Sequence, residues 1–251
     1  MTPVPTDPTG ASDAGEMTRR IAVARDRIAA AARAVDRRVA DVQLIAVTKT
    51  HPPAAAQAAV DAGVVDLGEN RVQELLAKLP EVTGARWHLI GQLQRNKTKD
   101  IVGRHILVHG LDRASLARSL SSRAVDAEVV QRVLVQVNVG DDPAKGGCSL
   151  DEVGELVAYA RDLPNLAVEG LMTVPPMPPS EADPVAHARP HFAALRAARD
   201  DVRSRFPEVT HLSMGMSADL EAAVAEGATM VRLGTALFGP RGSGPWRKDA
   251  A

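Results

Sequence analysis

Leu44-Ile45-Ala46-Val47-Thr48-Lys49 is a short apolar run that stops at a lysine, and it reads as a buried strand ending in an amine. Far downstream, Met230-Val231-Arg232-Leu233-Gly234-Thr235 is a second such strand, ending in a Gly-Thr turn. Lysine is almost never fully buried unless paired, so an ammonium at the end of a buried strand points to chemistry. A Gly-Thr turn at a strand end offers N–H groups and a hydroxyl to an oxyanion. An amine nucleophile together with a phosphate cradle suits an aldehyde-bearing, phosphorylated cofactor. Pyridoxal 5'-phosphate (PLP) is that cofactor.

Between these two runs the chain alternates. Apolar strand patterns fall at 44–47, 64–67, 87–90, 105–108, 133–137, 168–171, 211–213 and 230–233. Helical spacing fills the intervals 53–62, 71–78, 96–102, 113–124, 149–162, 185–205 and 217–226. Pro52-Pro53 opens the first of these, and Ser149 with Glu152 is a capping-box pattern for the fifth. An extra helix is expected from Met17 to Arg38, ahead of the first strand. Eight strands alternating with helices is the count of an α/β single-domain (β/α)8 TIM-type barrel, with a doubly wound sheet as the other architecture. The barrel is favoured because the polar residues cluster after strands, and a barrel brings all such positions to one mouth. Residues 16–241 are assigned to it, 1–15 to a disordered tail and 242–251 to a flexible tail.

Composition narrows the function classes. The 251 residues carry a net charge of -1, so no global basic field favours nucleic acid or a membrane surface. The one cysteine, Cys148, excludes an intrachain disulfide and fits a cytoplasmic location. The N-terminal residues have neither the basic nor the apolar region of a signal peptide, and no apolar stretch approaches a membrane span of roughly 20 residues. Metal readings fail: His187 and His191 lie on a charged helix, where a surface role suffices, and there is no cysteine pair.

Each chemistry-bearing residue has a plainer reading beside it. Lys49 is either a Schiff-base lysine or the start of a surface loop leading to His51-Pro52-Pro53. Ser213-Met214-Gly215-Met216-Ser217 could bind phosphate, or Ser217 could simply cap the helix that follows. Arg232, inside a strand, needs a partner. A pyridine nitrogen is one candidate, which arginine would leave unprotonated, and a buried carboxylate such as Glu69 is another. Asn70 is either a neighbour of the cofactor ring or a helix N-cap. His88 reads as a core histidine with a backbone partner. Arg95, Lys97 and Lys99 read as a solvated face.

Six motifs occur in order: Ala46-Val47-Thr48-Lys49; Gly68-Glu69-Asn70; the run from Trp87 to Lys97; Gly170-Leu171-Met172; the run from Leu212 to Ser217; and Val231-Arg232-Leu233-Gly234-Thr235. Together, over Ile21 to Arg241, the chain resembles the pyridoxal phosphate homeostasis protein family, whose barrel is similar to the N-terminal domain of bacterial alanine racemase. The resemblance implies a Schiff base on Lys49 and a phosphate held by Ser213, Gly234 and Thr235, with Met214 and Ser217 beside it. It implies Arg232 facing the pyridine nitrogen and Asn70 beside the ring. It further implies a cytoplasmic monomer that carries or buffers PLP, with apo-PLP enzymes as recipients, no nucleic-acid or membrane partner, and no efficient turnover. The rival is an amino-acid racemase. A two-base racemase needs a second acid or base, and the only tyrosine, Tyr159, sits within a helix pattern.

Overall fold

The computed structural model describes residues 9–239. Eight parallel strands close into a barrel in chain order. They are β1 (Gln43–Val47), β2 (Asp66–Glu69), β3 (Arg86–Leu89), β4 (Leu107–Leu111), β5 (Gln131–Gln136), β6 (Leu166–Met172), β7 (His211–Ser213) and β8 (Met230–Leu233). Around them lie α1 (Thr9–Arg33), α2 (Pro53–Asp61), α3 (Val72–Lys78), α4 (Thr98–Ile101), α5 (Ala114–Asp126), α6 (Val153–Arg161), α7 (Pro184–Arg205), α8 (Leu220–Ala225) and α9 (Thr235–Phe238). The barrel closes where β1 pairs with β8, Ile45 opposite Arg232 and Ala46 opposite Leu233. The two runs that point to an amine and a phosphate site are therefore hydrogen-bonded neighbours.

Strand alternation sorts the side chains into two layers. Ile45, Leu107, Leu134, Met172 and Met230 form a small apolar cluster inside the barrel. Their strand neighbours Ala46, Val108, Val133, Leu171 and Val231 belong to the larger core between strands and helices. The inward set also includes polar residues, and this parity decides much of the site.

Element edges differ from the sequence expectation for identifiable reasons. The N-terminal helix begins at Thr9 and ends at Arg33, so it takes in part of the expected tail; positions 1–8 and 242–251 lie outside the described residues. β2 starts at Asp66, because the Val64 N–H is still bonded to Ala59 O at the end of α2. β4 starts at Leu107, because His105 has φ of 56°, a turn conformation. Pro53 does stand in the first turn of α2. The Ser149–Glu152 pair forms before α6 rather than on it: Ser149 N and Oγ both donate to Glu152 Oε2, at 2.8 and 2.9 Å.

Candidate functional site

A cavity of about 430 Å³ opens at the C-terminal ends of the strands. Lys49, Asn70, Ser217, Arg232, Gly234 and Thr235 all line it. Ser213 and Met214, expected beside a phosphate, do not; both are fully buried. The sequence reading missed His51, His187 and the segment after β6, Val174-Pro175-Pro176-Met177-Pro178, which forms one wall. Its cluster of prolines, which can neither continue a helix nor pair in a sheet, was a usable signal. Lys145 donates to the carbonyls of Val174 and Pro175 and ties that wall to the loop after β5. His51 stacks on Phe238 with ring centroids 4.8 Å apart, and burial lowers its pKa.

The turn that carries Lys49 is held from behind. Lys78 on α3 donates to Thr48 O at 2.7 Å and to Glu69 Oε1 at 2.5 Å. Thr48 Oγ1 donates to the same Glu69 oxygen at 2.5 Å. Lys78, Glu69 and Thr48 are fully buried. Burial raises the pKa of Glu69 against the opposing pull of Lys78. Thr50, just past Lys49, has φ of 68°, a strained value for a β-branched residue, and its N–H donates to Glu74 Oε2 at 2.9 Å. Such a conformation persists only where its surroundings over-determine it, and four hydrogen bonds do so here.

The expected Glu69–Arg232 pair does not form. Glu69 shares the outward parity of Leu67 and meets α3, whereas Arg232 points into the barrel. Arg232 Nη1 instead donates to Ser213 Oγ and Nη2 to Thr173 O, both at 2.7 Å. Burial brings the Arg232 pKa down to about 10, so it stays protonated at neutral pH. Ser213 Oγ also lies 2.9 Å from His109 Nδ1. His109 Nε2 lies 3.0 Å from His88 Nδ1, and His88 Nε2 lies 3.1 Å from Asp66 Oδ1. His88 is thus a core histidine as expected, but with side-chain partners, not a backbone one.

Asn70 is not the N-cap of α3, which is Arg71, and Ser217 is not the N-cap of α8, which is Asp219. Ser217 Oγ accepts from Ala236 N at 3.3 Å, which ties the loop after β7 to the start of α9. A Cβ on Gly234 would meet nothing nearer than Val47 O at 3.5 Å. Gly215 has φ of 94°, and a Cβ there would lie 2.4 Å from that of Ala223. Only glycine lets that turn pack while its carbonyl accepts from Arg232 N at 2.9 Å. Tyr159 sits on α6, its hydroxyl bonded to Arg118 Nε at 3.1 Å, and is not in the cavity wall. Burial pushes the Cys148 thiol up to about 12. Among the described residues no group of three or more His, Cys, Asp or Glu side chains is placed to hold a metal, and no helix is long and apolar enough to cross a membrane.

Residues 23–242 match the family model described as "Alanine racemase, N-terminal domain". A protein of Aquifex aeolicus named "Pyridoxal phosphate homeostasis protein" is 44% identical over 202 residues, covering 79% of this chain and 87% of the relative. An Escherichia coli protein of the same name is 39% identical over 233 residues, covering 90% and 97%. The structure of PipY of Synechococcus elongatus PCC7942, described as having PLP bound, superposes with a TM-score of 0.76 at 34% identity, covering 89% of this chain and all of that one. The chain belongs to the alanine racemase N-terminal domain family and, within it, to that of the pyridoxal phosphate homeostasis proteins.

Proposed function

We propose that this chain binds PLP as a Schiff base on Lys49 and serves PLP homeostasis, as a cytoplasmic carrier or buffer for apo-PLP enzymes, without efficient turnover of its own. The observation that carries this reading is convergence. Lys49 from the end of β1, Arg232 from β8, Ser217 from the loop after β7 and Thr235 from the start of α9 line a single cavity. The names of the relatives, and the PLP in the PipY structure, support the same cofactor.

The residues present fit the group. Ser217 and Thr235 bring two hydroxyls together, and Gly234 leaves its backbone open to the cavity, a donor set suited to a phosphate. Arg232 can donate to a ring nitrogen and does not readily give up its proton. Asn70 lines the same cavity and would stand beside the ring. Bound PLP would supply an aldehyde, for which the amine of Lys49 is the nucleophile lining the cavity. The Lys78–Glu69–Thr48 cluster fixes the backbone from which Lys49 extends. Buried Ser213 accepts from Arg232 Nη1 and so supports that guanidinium.

Titration of the protein with PLP, followed by its visible absorption, tests the cradle. Ser217→Ala with Thr235→Val is expected to cost about 1.5–3 kcal/mol, roughly one to two decades in affinity. Unchanged affinity would move the phosphate site elsewhere. Chiral analysis of alanine and serine after incubation with the loaded protein tests the functional class. Rapid loss of optical activity, at rates of the order of 1–10³ per second, would establish a racemase instead.

A further inference from the structure

A chain of hydrogen-bonded side chains crosses the barrel from its bottom rim to Arg232, and cofactor binding as described uses only its last two members. Asp66 begins β2, whereas Arg232 stands near the end of β8 at the cavity. Between them, in order, come His88, His109 and Ser213. All five are at most 5% exposed, so water cannot substitute for a missing partner.

The two ends fix the direction of the bonds they make, and satisfying every buried donor between them sets the rest. Arg232 can only donate, and an ionised Asp66 can only accept. Asp66 is held ionised by Arg86, which reaches Oδ1 and Oδ2 at 2.8 and 2.7 Å. Burial opposes that ionisation, but hydrogen bonds from His88, Arg86 and Gln43 outweigh it and bring the carboxyl down to about 2. Ser213 Oγ accepts from Arg232, and giving its own hydroxyl proton to His109 Nδ1 is the arrangement that leaves that buried proton an acceptor. His109 then carries its proton on Nε2 and gives it to His88 Nδ1. His88 carries its proton on Nε2 and gives it to Asp66. In this arrangement each ring carries a single proton, and every donor points toward Asp66.

We propose that Asp66, His88, His109 and Ser213 are positioning residues for Arg232, forming a one-way relay that orients its guanidinium and links the cofactor side of the barrel to the bottom rim. The proposal rests on the reading of Arg232 as the group that faces the cofactor ring. The relay resists a further proton. A proton added to His88 Nδ1 would confront His109 Nε2–H, and relief requires His109 to move its proton to Nδ1. That nitrogen would then donate to Ser213 Oγ, which would lose the acceptor of its own hydroxyl proton beside Arg232. The surrounding charges oppose this. Burial first, and then the cations Arg232 and Arg132, disfavour a cationic His109. Asp219 is the carboxylate that acts on Arg232, and Arg86 the cation that holds Asp66.

The test begins without PLP. In protein labelled with 15N at histidine, nitrogen shifts should show His88 and His109 neutral, both protonated on Nε2, from about pH 6 to 8. The opposite tautomer at either ring, or ordinary titration of both near pH 6.5, would overturn the relay. With PLP loaded, Asp66→Asn and His109→Gln should each shift the pH midpoint of the visible band by about half a unit or more. Ser217→Ala should weaken binding and leave that midpoint in place. A midpoint unmoved by both relay variants would overturn the link to the cofactor side. Failure of the wild-type protein to take up PLP would instead overturn the cofactor reading and the relay's stated role with it, whatever the tautomers show.

Discussion

Two buried polar clusters stand on opposite faces of the barrel wall, and they solve the same problem differently. On the outer face, between β2 and α3, Lys78 and Glu69 form a fully buried ion pair that grips Thr48, one residue before Lys49. On the inner face, two imidazoles and a serine hold Arg232. In the first, the charge is in the support and the functional side chain extends away from it. In the second, the functional side chain carries the charge and its immediate support is a hydroxyl and a backbone carbonyl. The difference follows from strand parity: Glu69 and Thr48 point outward, and Asp66, His88, His109, Ser213 and Arg232 point inward. A buried pair broken on one side leaves an uncompensated charge, whereas a hydrogen-bonded chain broken at one link leaves unpaired dipoles.

The contrast predicts a hierarchy of effects. The largest should come from the outer cluster. Lys78→Met strands Glu69 in a site with no exposure, and unfolding in urea should show a loss of about 3–5 kcal/mol. Adding Glu69→Leu should recover most of it. A single variant that loses less than about 1 kcal/mol would show that the pair does not hold the turn.

The inner chain should cost less and show its effect in pH. Ser213→Ala is expected to lose about 1–3 kcal/mol by leaving Arg232 and His109 short of a partner. Burial holds the pKa of His109 well below its ordinary value, so the folded protein refuses a proton that the unfolded chain accepts. Its stabilising contribution is therefore complete above about pH 6.5 and declines as pH falls below that, by at most about 1.4 kcal/mol per unit. Urea midpoints from pH 8 down to 5 should show this slope, and His109→Gln should flatten it. An identical slope in that variant would place the titrating group elsewhere.

The smallest effect belongs to the surface. Arg38 meets Asp41 at 2.7 Å, but its side chain is 84% exposed. Arg38→Ala should leave the urea midpoint where it was, because such pairs are screened and entropically costly. A loss matching that of Ser213→Ala would erase the distinction between buried and exposed polar groups.

Much of this was legible in the chain. The alternation of eight strands and helices predicts the barrel, because each strand carries its own apolar period. That Lys49, Asn70, Arg232, Gly234 and Thr235 share one cavity was legible because they follow or end strands, and a barrel gathers such positions. Ser213 and Ser217 were not separated, because their proximity in sequence hides a change of depth: Ser213 ends a strand inside the barrel, and Ser217 lies in the loop above it. Asp66 and His109 passed unnoticed although each is a polar residue at inward parity in an apolar strand. Parity between neighbouring strands needs their register, which only the closed sheet supplies. The same gap produced the mistaken pairing of Glu69 with Arg232.

The proposed site turns on Lys49 as the residue that would hold PLP. Borohydride reduction of the loaded protein, followed by peptide mass mapping, tests it directly. The pyridoxyl mass is expected on the peptide containing Lys49, and its loss is expected in Lys49→Ala. The same mass on Lys97 or Lys145, with Lys49 unmodified, would contradict it.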